Sequence, residues 1–349
     1  MTSLSHSAAR TRATLALRAI AGVGDATMAR QIAAHGGAEA ALASYDTVAR
    51  HAALRAADEV LLAAERAGAR VLTVGDDDFP SRLDELRDPP AVLYARGVLA
   101  AAAAPAVAIV GTRTATNYGL RVTRSIATAC ARAGATVISG LARGIDGAAH
   151  EATLAAGGRT VAVLGTGVDV HFPRPHRALQ EQIAREGLLL SELPPGSTGH
   201  SGTFPRRNRI IAALADVTVV VEAGLRSGAL ITANHALDLG RMVACVPNAI
   251  DLPNSAGSNA LLKRSAEPVL SPDDVLALLN LRASPVAPPA LDADAASCWD
   301  ALCNGASDVT AVARRSGLSV RATSAAVAAL EVEGLISIDP AGHIRSLLT

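Results

Sequence analysis

The sequence AVAIVGTR, residues 106–113, joins five apolar residues to a glycine turn and an arginine. An apolar run this short, bounded by glycine, is typical of a strand buried on both faces of a parallel sheet. Five similar runs follow, separated by segments with helical periodicity, at residues 136–139, 160–164, 188–192, 217–222 and 242–247. This alternation of buried strands and helices predicts an α/β fold with a doubly wound parallel sheet.

Three turns after predicted strands combine small residues with one arginine. They are Gly111-Thr112-Arg113, Ser139 to Asp146 with Arg143, and Glu222 to Ala233 with Arg226. Ligands of such sheets bind outside the carboxyl ends of the strands, where these turns meet. Turn geometry explains the glycines but does not require arginine, and helix starts favour phosphate. We therefore expect the turns to form an anion-binding cradle.

The segment FPRRNRII, residues 204–211, places three arginines, an asparagine and a phenylalanine before an apolar helical pattern. Arginine is costly at a helix start, because that end already carries the positive pole of the helix dipole. The cluster therefore indicates a nearby anion, and a solvated helix start is the alternative interpretation. Arginine forks match phosphate oxygens, and Phe204 offers a stacking face to an unpaired base.

Composition limits the class of protein. The chain has 349 residues, 50% of them apolar, which suits two or three domains. Its net charge is zero, which disfavours a positive electrostatic field that attracts duplex DNA. No apolar run is long enough to span a membrane and no signal peptide is evident, so we expect a cytoplasmic protein. The four cysteines form no CxxC motif, which predicts buried free thiols and no metal site.

The sequence predicts a helical module of the SAM-like or helix-hairpin-helix type over residues 1–68. A Rossmann-like, DNA-binding domain is predicted over residues 69–281, and its first part, 69–105, is a bridging segment. The sequence Ala21-Gly22-Val23-Gly24-Asp25 resembles a helix-hairpin-helix turn, whose backbone N–H groups can bind a DNA phosphate. A simple interhelical turn is an equal alternative. The bridging segment contains two strand-like runs, VLTV and AVLYA.

The segments after the sheet predict a Pro/Ala linker over residues 282–296 and a winged-helix domain over 297–349. The winged helix has three helical segments and two short strands around Asp339-Pro340-Ala341-Gly342. Its third helix, residues 319–333, carries one arginine against two glutamates. This charge is poor for the major groove, so we expect protein contact or packing there rather than operator binding.

Motifs for common cofactors do not occur. Gly165-Thr166-Gly167 follows a strand without the third glycine of a dinucleotide fingerprint, and no GxxxxGK[ST] phosphate loop is present. The histidines are scattered, without a nucleophile context. We therefore predict no cofactor and no catalytic residues.

Together these motifs resemble those of the DNA-processing protein A (DprA/Smf) family. The resemblance rests on DPPAVLYARG, AIVGTR, SGLARGIDGAAH, GRTVAVLGTGVD, SELPPG, FPRRNRIIAAL, VVVEAGLRSGALITA and the winged helix. It implies a Rossmann-like domain that binds single-stranded DNA, forms a homodimer, and loads RecA recombinase onto incoming strands in natural transformation. The DNA contacts that it implies are Gly111, Thr112, Arg113, Ser139, Gly140, Arg143, Gly144, Phe204, Arg207, Asn208 and Arg209.

The sequence departs from the family pattern at two places. Asn248 and Ser265 stand where glycine is usual, which puts the local turn geometry in doubt. Two other functions stay open. One is a nucleotide-acting enzyme resembling phosphoribohydrolases, whose PGGxGTxxE signature does not occur here. The other is a winged-helix regulator with an effector-binding Rossmann-like domain, against which the weakly basic third helix argues.

Overall fold

The computed structural model describes residues 2–282, 291–339 and 342–346, and the chain divides into two compact units, 1–283 and 284–349. A nine-stranded sheet organises the described part of the first unit. Its strands are β1 (Arg70–Thr73), β2 (Val92–Gly97), β3 (Ala106–Val110), β4 (Thr136–Ser139), β5 (Thr160–Leu164), β6 (Leu188–Ser191), β7 (Val217–Val220), β8 (Met242–Cys245) and β9 (Glu267–Pro268). Its helices are α1 (Thr2–Ala19), α2 (Asp25–His35), α3 (Ala38–Ala43), α4 (Thr47–Arg66), α5 (Asn117–Arg132), α6 (Ile145–Ala155), α7 (Arg177–Glu186), α8 (Thr203–Leu214), α9 (Gly228–Asp238), α10 (Ala256–Leu262) and α11 (Pro272–Leu278).

The strand order is β1-β2-β6-β5-β4-β3-β7-β8-β9. Strand β2 pairs antiparallel with both β1 and β6, whereas the strands from β6 to β9 in this order pair in parallel. The predicted bridging segment thus adds two antiparallel strands to one edge of the sheet. The order reverses at β3, so the turns after β3 and its neighbours meet at a topological switch point.

Strand residues are buried on both faces of the sheet because helices cover both. Along β3, Ala108 and Val110 pack with α8 and α9, whereas Val107 and Ile109 pack with α5, α6 and α11. Successive side chains of a strand point to opposite faces, so each strand appears in the sequence as an unbroken apolar run.

Helices α1–α4 pack on the sheet rather than standing apart from it. Their residues Leu17 and Met28 belong to one buried cluster with Tyr94 of β2 and Leu164 of β5. Residues 1–68 therefore share a hydrophobic core with the Rossmann-like domain. Gly22, in the turn between α1 and α2, has a φ of 83°, which favours glycine.

The second unit has its own core. It contains α12 (Ala293–Cys303), α13 (Val309–Ser316), α14 (Val320–Val332) and the antiparallel strands β10 (Ile336–Ile338) and β11 (Ile344–Ser346). Trp299 is buried in its apolar cluster. Residues 283–290 of the predicted linker lie outside the described residues, and α12 begins within the stretch predicted as linker.

The cysteines are free thiols, and Cys130, Cys245 and Cys298 are buried as predicted. Cys303, the last residue of α12, is exposed, so the prediction of burial was wrong there. Burial raises the pKa of Cys130 and Cys245 to about 12, which keeps both as unreactive thiols. Across the described ranges, no helix is both long and apolar enough to cross a membrane.

Candidate nucleic-acid interface

A cavity of about 670 Å³ opens at the carboxyl edge of the sheet. The turns after β3, β4 and β7 line it together with the first turn of α8. The three predicted turns therefore meet in space, because carboxyl ends of parallel strands share one edge. Ser201 and Asn254 also line the cavity, and no sequence pattern pointed to either.

The turn after β3 is shaped by close backbone approach. A Cβ on Gly111 would lie 2.5 Å from Cγ1 of Ile145, so glycine is needed there. The Thr112 N–H donates to the Glu222 carbonyl oxygen at 2.7 Å. Residues 111–113 are thereby fixed against β7 and α6, and the Arg113 side chain is left exposed at the rim.

The start of α5 has its own caps, contrary to our expectation that it would help bind phosphate. The Thr116 side chain accepts from the Gly119 N–H at 3.1 Å, and the buried Glu222 carboxylate accepts from the Thr116 N–H at 2.9 Å. The Thr116 hydroxyl also donates to Glu222. A carboxylate therefore already occupies the positive end of this helix.

The turn after β4 is closed by Asp146. Its Oδ2 accepts from the Gly140 N–H at 3.2 Å and the Ala142 N–H at 3.3 Å. Ser139 is buried, and its hydroxyl donates to the Ile109 carbonyl. Burial raises the pKa of Asp146, while Arg207 and the two N–H groups oppose that shift. These two N–H groups, which we expected to face a phosphate, are satisfied within the protein.

Arg207 is a buried cross-link between strands rather than an exposed cation. Its Nη1 donates to the Gly140 carbonyl at 2.7 Å and also to the Val163 carbonyl. A Cβ on Gly140 would collide with this guanidinium. Burial lowers the pKa of Arg207 to about 10, against the attraction of Asp146. The side chain therefore holds the ends of β4 and β5 against α8.

The other two arginines of α8 pair with carboxylates. Arg209 is buried and its Nη2 donates to Glu192 Oε1 at 2.7 Å, and Arg206 Nη2 lies 3.1 Å from the same oxygen and 3.0 Å from Asp25 Oδ2. Burial raises the pKa of Glu192, and Arg209 opposes this shift. The anions that the arginine cluster was expected to need are thus carboxylates of the protein itself. We call Arg206, Arg207 and Arg209 the α8 arginines.

The same network weakens the case for a DNA-binding turn between α1 and α2. Asp25 begins α2, its carboxylate is buried, and Arg206 contacts it. Arg18 Nη2 donates to the Glu192 carbonyl at 3.1 Å. A carboxylate already lies at this helix start, which favours the interpretation as a simple interhelical turn.

Three arginines around the cavity make no ion pair with any residue the structure describes. Arg113, Arg143 and Arg226 are exposed, and each comes from a different turn. We call them the rim arginines. Arg226 lies in the third predicted turn but was not among the predicted contacts, although its position after a strand gave the same signal as Arg113.

Phe204, which we expected to offer a stacking face to a base, lies in the first turn of α8 and is half-buried. Built Cβ atoms on Gly165 and Gly199 would meet its ring at 2.7 and 2.8 Å, so the ring packs on both glycines. Its centroid is 5.1 Å from that of Phe172 and 5.8 Å from Cζ of Arg113. Phe172 is 46% exposed and was missed, because it lies in a loop without a motif.

Asn208 and Asn248 hold loops at the cavity side of the sheet. Asn208 Nδ2 donates to the Gly228 carbonyl at 3.1 Å, which joins α8 to the start of α9. Asn248 Nδ2 donates to the Val221 carbonyl at 2.7 Å, so this departure from glycine supplies a loop contact. Ser265, the other departure, has no positive φ. Within the described ranges, no three His, Cys, Asp or Glu side chains are arranged to hold a metal ion.

These features define a Rossmann-like protein with a cationic cavity, flanked by aromatic rings, at the switch point of its sheet. Residues 70–280 match the family model of DNA recombination-mediator protein A, and residues 282–342 match that of the DprA winged helix domain. The chain belongs to this family. The resemblance and the fold class predicted from the sequence, a Rossmann-like sheet with an added helical module and a winged helix, are confirmed.

Similar proteins that carry names support this family assignment. The chain is 36% identical to Protein Smf of Escherichia coli K12, covering 80% of this chain and 78% of that one. It is 47% identical to Protein Smf of Synechocystis over 60% of this chain, and 44% identical to a putative DNA processing protein DprA of Mycobacterium tuberculosis over 66%. The matches span only 54% and 62% of those two relatives.

Two solved structures resemble this chain. One is DNA processing protein A of Streptococcus pneumoniae, with a TM-score of 0.61 and 37% identity over 66% of this chain and 82% of that chain. The other is DNA processing protein A of Helicobacter pylori, with a TM-score of 0.55 and 31% identity over 61% of this chain and 97% of that chain. The second structure concerns that protein's single-stranded DNA binding mode.

Proposed function

We propose that this chain is a non-enzymatic recombination mediator, which binds single-stranded DNA without sequence preference, protects it, and loads RecA recombinase during DNA uptake and natural transformation. The observation that carries the proposal is the set of three exposed rim arginines, which make no ion pair with the described residues, around a cavity with aromatic rings beside it. Membership of the recombination-mediator family supports it, as does the single-stranded DNA binding of the H. pylori relative.

The proposed contacts divide into two groups. Arg113, Arg143 and Arg226 bind phosphates through their guanidinium forks, and the aromatic rings stack on unpaired bases. Every base has a stacking face, so this mode tolerates any sequence, and bases inside a duplex are not available to it. Four further residues are also proposed to contact the DNA: Gly111, Thr112, Gly144 and Phe204. The remaining predicted residues are proposed to stabilise the loops of the interface without contacting the DNA: Ser139, Gly140, Arg207, Asn208 and Arg209.

The first test compares labelled oligothymidine with a duplex of equal length, binding to the full chain by fluorescence anisotropy. We expect the single strand to bind at least about tenfold more tightly, because only it can add stacking to phosphate contacts. Equal affinity would contradict the proposed mode.

Recombinase loading and a cytoplasmic homodimer belong to the same proposal and rest on family membership. We expect a dimer in sedimentation equilibrium, and faster RecA filament assembly on strands precoated with this chain than on strands coated with a single-strand-binding protein alone. If the protein binds the strand but slows RecA assembly, the proposed binding function stands and the proposed loading function is contradicted.

A nucleotide-acting enzyme is the alternative, because the cavity could hold a mononucleotide. The carboxylates near the turns argue against it: Asp146 accepts two backbone N–H groups and Glu222 is held by Thr116. Neither is left to act as a nucleophile or base. Release of free base from nucleoside monophosphates, followed by chromatography, would favour the enzyme.

A further inference from the structure

The start of α9 differs from the starts of the neighbouring helices at the cavity. The buried Glu222 carboxylate accepts a backbone N–H at the start of α5, and Asp146 accepts two in the turn before α6. At the start of α9, the Gly228 N–H has no acceptor among the described residues, and the Ala229 N–H has only Ser227 Oγ, at 3.3 Å. Within that part of the chain, the positive end of this 11-residue helix therefore contacts no carboxylate.

Thr232 places a buried hydroxyl one turn further along α9. It is only 1% exposed and lines the cavity. Thr123, a buried threonine of α5, donates to the carbonyl four residues earlier, that of Gly119, at 2.7 Å. The corresponding carbonyl in α9 is that of Gly228, and it accepts from Asn208 Nδ2 at 3.1 Å. The Thr232 hydroxyl makes no hydrogen bond with any residue that the structure describes. Because a buried polar group without a partner is unfavourable, it indicates a polar ligand in the cavity.

Arg226 adds a guanidinium to these donors. It precedes the first residue of α9 by two positions, lines the same cavity, and makes no ion pair within the described ranges. Residues 223–237 contain no Asp or Glu. Asp146 also lines the cavity, but its Oδ2 accepts the N–H groups of its own turn. Two backbone N–H groups, a hydroxyl and a guanidinium together suit an anion with several oxygens. The α9 site, as we call it, consists of Arg226, Gly228, Ala229 and Thr232.

We propose that the α9 site binds a phosphate monoester, either the terminal phosphate of a strand or the phosphate of a free nucleotide. At neutral pH a monoester carries a charge of about −1.5 to −2 and three unesterified oxygens, which match the several donors of the site. A phosphodiester inside a strand has two such oxygens and one charge, and a nucleotide follows it on each side. Thr232 is reached through the cavity, and a terminal group approaches it without a second nucleotide beyond.

The two sources of the monoester are tested separately. Binding of a strand end rests on the proposed function, whereas binding of a free nucleotide does not. Oligothymidines of about six nucleotides, within the range of single-strand site sizes, carry a 5′-phosphate, a 3′-phosphate or hydroxyls at both ends. Each competes with an internally labelled oligothymidine for the full chain in phosphate-free buffer, followed by anisotropy. Isothermal titration calorimetry compares thymidine 5′-monophosphate with thymidine.

Three variants connect any preference to the site. Thr232→Val removes the hydroxyl and keeps the shape of the side chain, and Thr232→Ser keeps the hydroxyl. Thr123→Val is the matched control, because it removes a buried threonine hydroxyl of α5 that does not line the cavity. Thermal unfolding verifies that all three fold. We expect Thr232→Val to be no less stable than the wild type, since its hydroxyl bonds to none of the described residues.

We expect the wild type to bind a strand with one phosphorylated end, or thymidine 5′-monophosphate, at least about tenfold more tightly than the hydroxyl form. Thr232→Val should lower this preference by about tenfold, the effect of one hydrogen bond to a charged group, and Thr232→Ser and Thr123→Val should retain it. Strands that bind with no preference for a phosphate, or a preference unchanged in Thr232→Val, would overturn the α9 site and leave the proposed function intact. Binding of the monophosphate without binding of any strand would support the site and contradict the proposed function.

Discussion

The α8 arginines and the rim arginines differ in what they contact, although Arg207 lines the same cavity as Arg113 and Arg226. Arg207 donates to two strand carbonyls, and Arg206 and Arg209 contact Glu192. The rim arginines have no such partners within the described ranges. Taking a guanidinium out of water is expensive unless it is paired, so burial and pairing occur together. Arginine density in a sequence therefore does not measure the positive charge available to a ligand.

The largest expected effect tests the buried side of this comparison. Arg207→Met leaves Asp146 without its opposing charge and the Gly140 and Val163 carbonyls without a donor. We expect the free energy of unfolding to fall by about 3–5 kcal/mol, measured by urea denaturation. Arg226→Met is the control and should change it by less than about 0.5 kcal/mol. Similar losses in the two variants would remove the distinction between the groups.

The two aromatic rings extend the comparison to stacking. Phe172→Ala should weaken binding to oligothymidine by about ten- to a hundredfold with little change in Tm, because an exposed ring that stacks on a base contributes roughly 1–3 kcal/mol. Phe204→Ala should lower the Tm clearly, because its ring packs on Gly165 and Gly199 and burial of a phenylalanine contributes up to about 3 kcal/mol. Thermal unfolding and anisotropy measure both variants.

The reverse pattern, with Phe204→Ala stable and defective in binding and Phe172→Ala the opposite, would exchange the roles of the rings. Phe172→Leu is a useful control, since it retains an apolar side chain but removes the aromatic face.

A paired charge should also be visible in the pH dependence of stability. Hydrogen bonds from Arg96 and, to a smaller extent, from His171 lower the pKa of Glu181 from its ordinary value of 4.5 to about 2. A depressed pKa in the folded state means that the contribution of Glu181 is complete above about pH 4.5 and is lost as the pH falls from there toward 2. Glu181→Gln should flatten this part of a plot of Tm against pH. An unchanged acid limb would show that the carboxylate is not paired in solution.

The smallest expected effect concerns the second unit. Deletion of residues 284–349 should leave single-strand affinity within about threefold of the wild type, because helix α14 and its C-cap carry Arg321 against Glu331 and Glu333 and can add few phosphate contacts. Circular dichroism checks that the first unit stays folded. Loss of most of the affinity in a folded protein would assign binding to the winged helix.

The fold was predictable from the sequence because a strand that is buried on both faces of the sheet appears in the sequence as an apolar run. The prediction of strands at 106–110, 136–139 and 160–164 agrees with the structure to the residue. The antiparallel pairing of β2 with β6 was not predictable, since the partner of a strand depends on contacts far apart in the chain.

The candidate site was predictable only in part. Glycine and arginine after a strand pointed to Arg113 and Arg143, because those turns are local features. The partners of Arg207 and Arg209 could not be foreseen: Glu192 is 17 residues from Arg209 along the chain, and Asp146 lies in another turn. Phe172 was missed because it lies in a loop without a motif, and its contact with the Phe204 ring is formed only in the folded chain.

We propose that the rim arginines bind phosphates and that the α8 arginines do not. The most direct test is the slope of the logarithm of oligothymidine affinity against the logarithm of salt concentration. The variants are Arg113→Gln/Arg143→Gln/Arg226→Gln and, as the matched member of the other group, Arg206→Gln. Arg206 suits this purpose because it is the α8 arginine that remains exposed.

We predict that the triple variant lowers the slope by about 2, the sum of three contacts of about 0.7 each on single strands, and that Arg206→Gln leaves the slope unchanged. An unchanged slope in the triple variant, or an equal loss per arginine in Arg206→Gln, would contradict the claim.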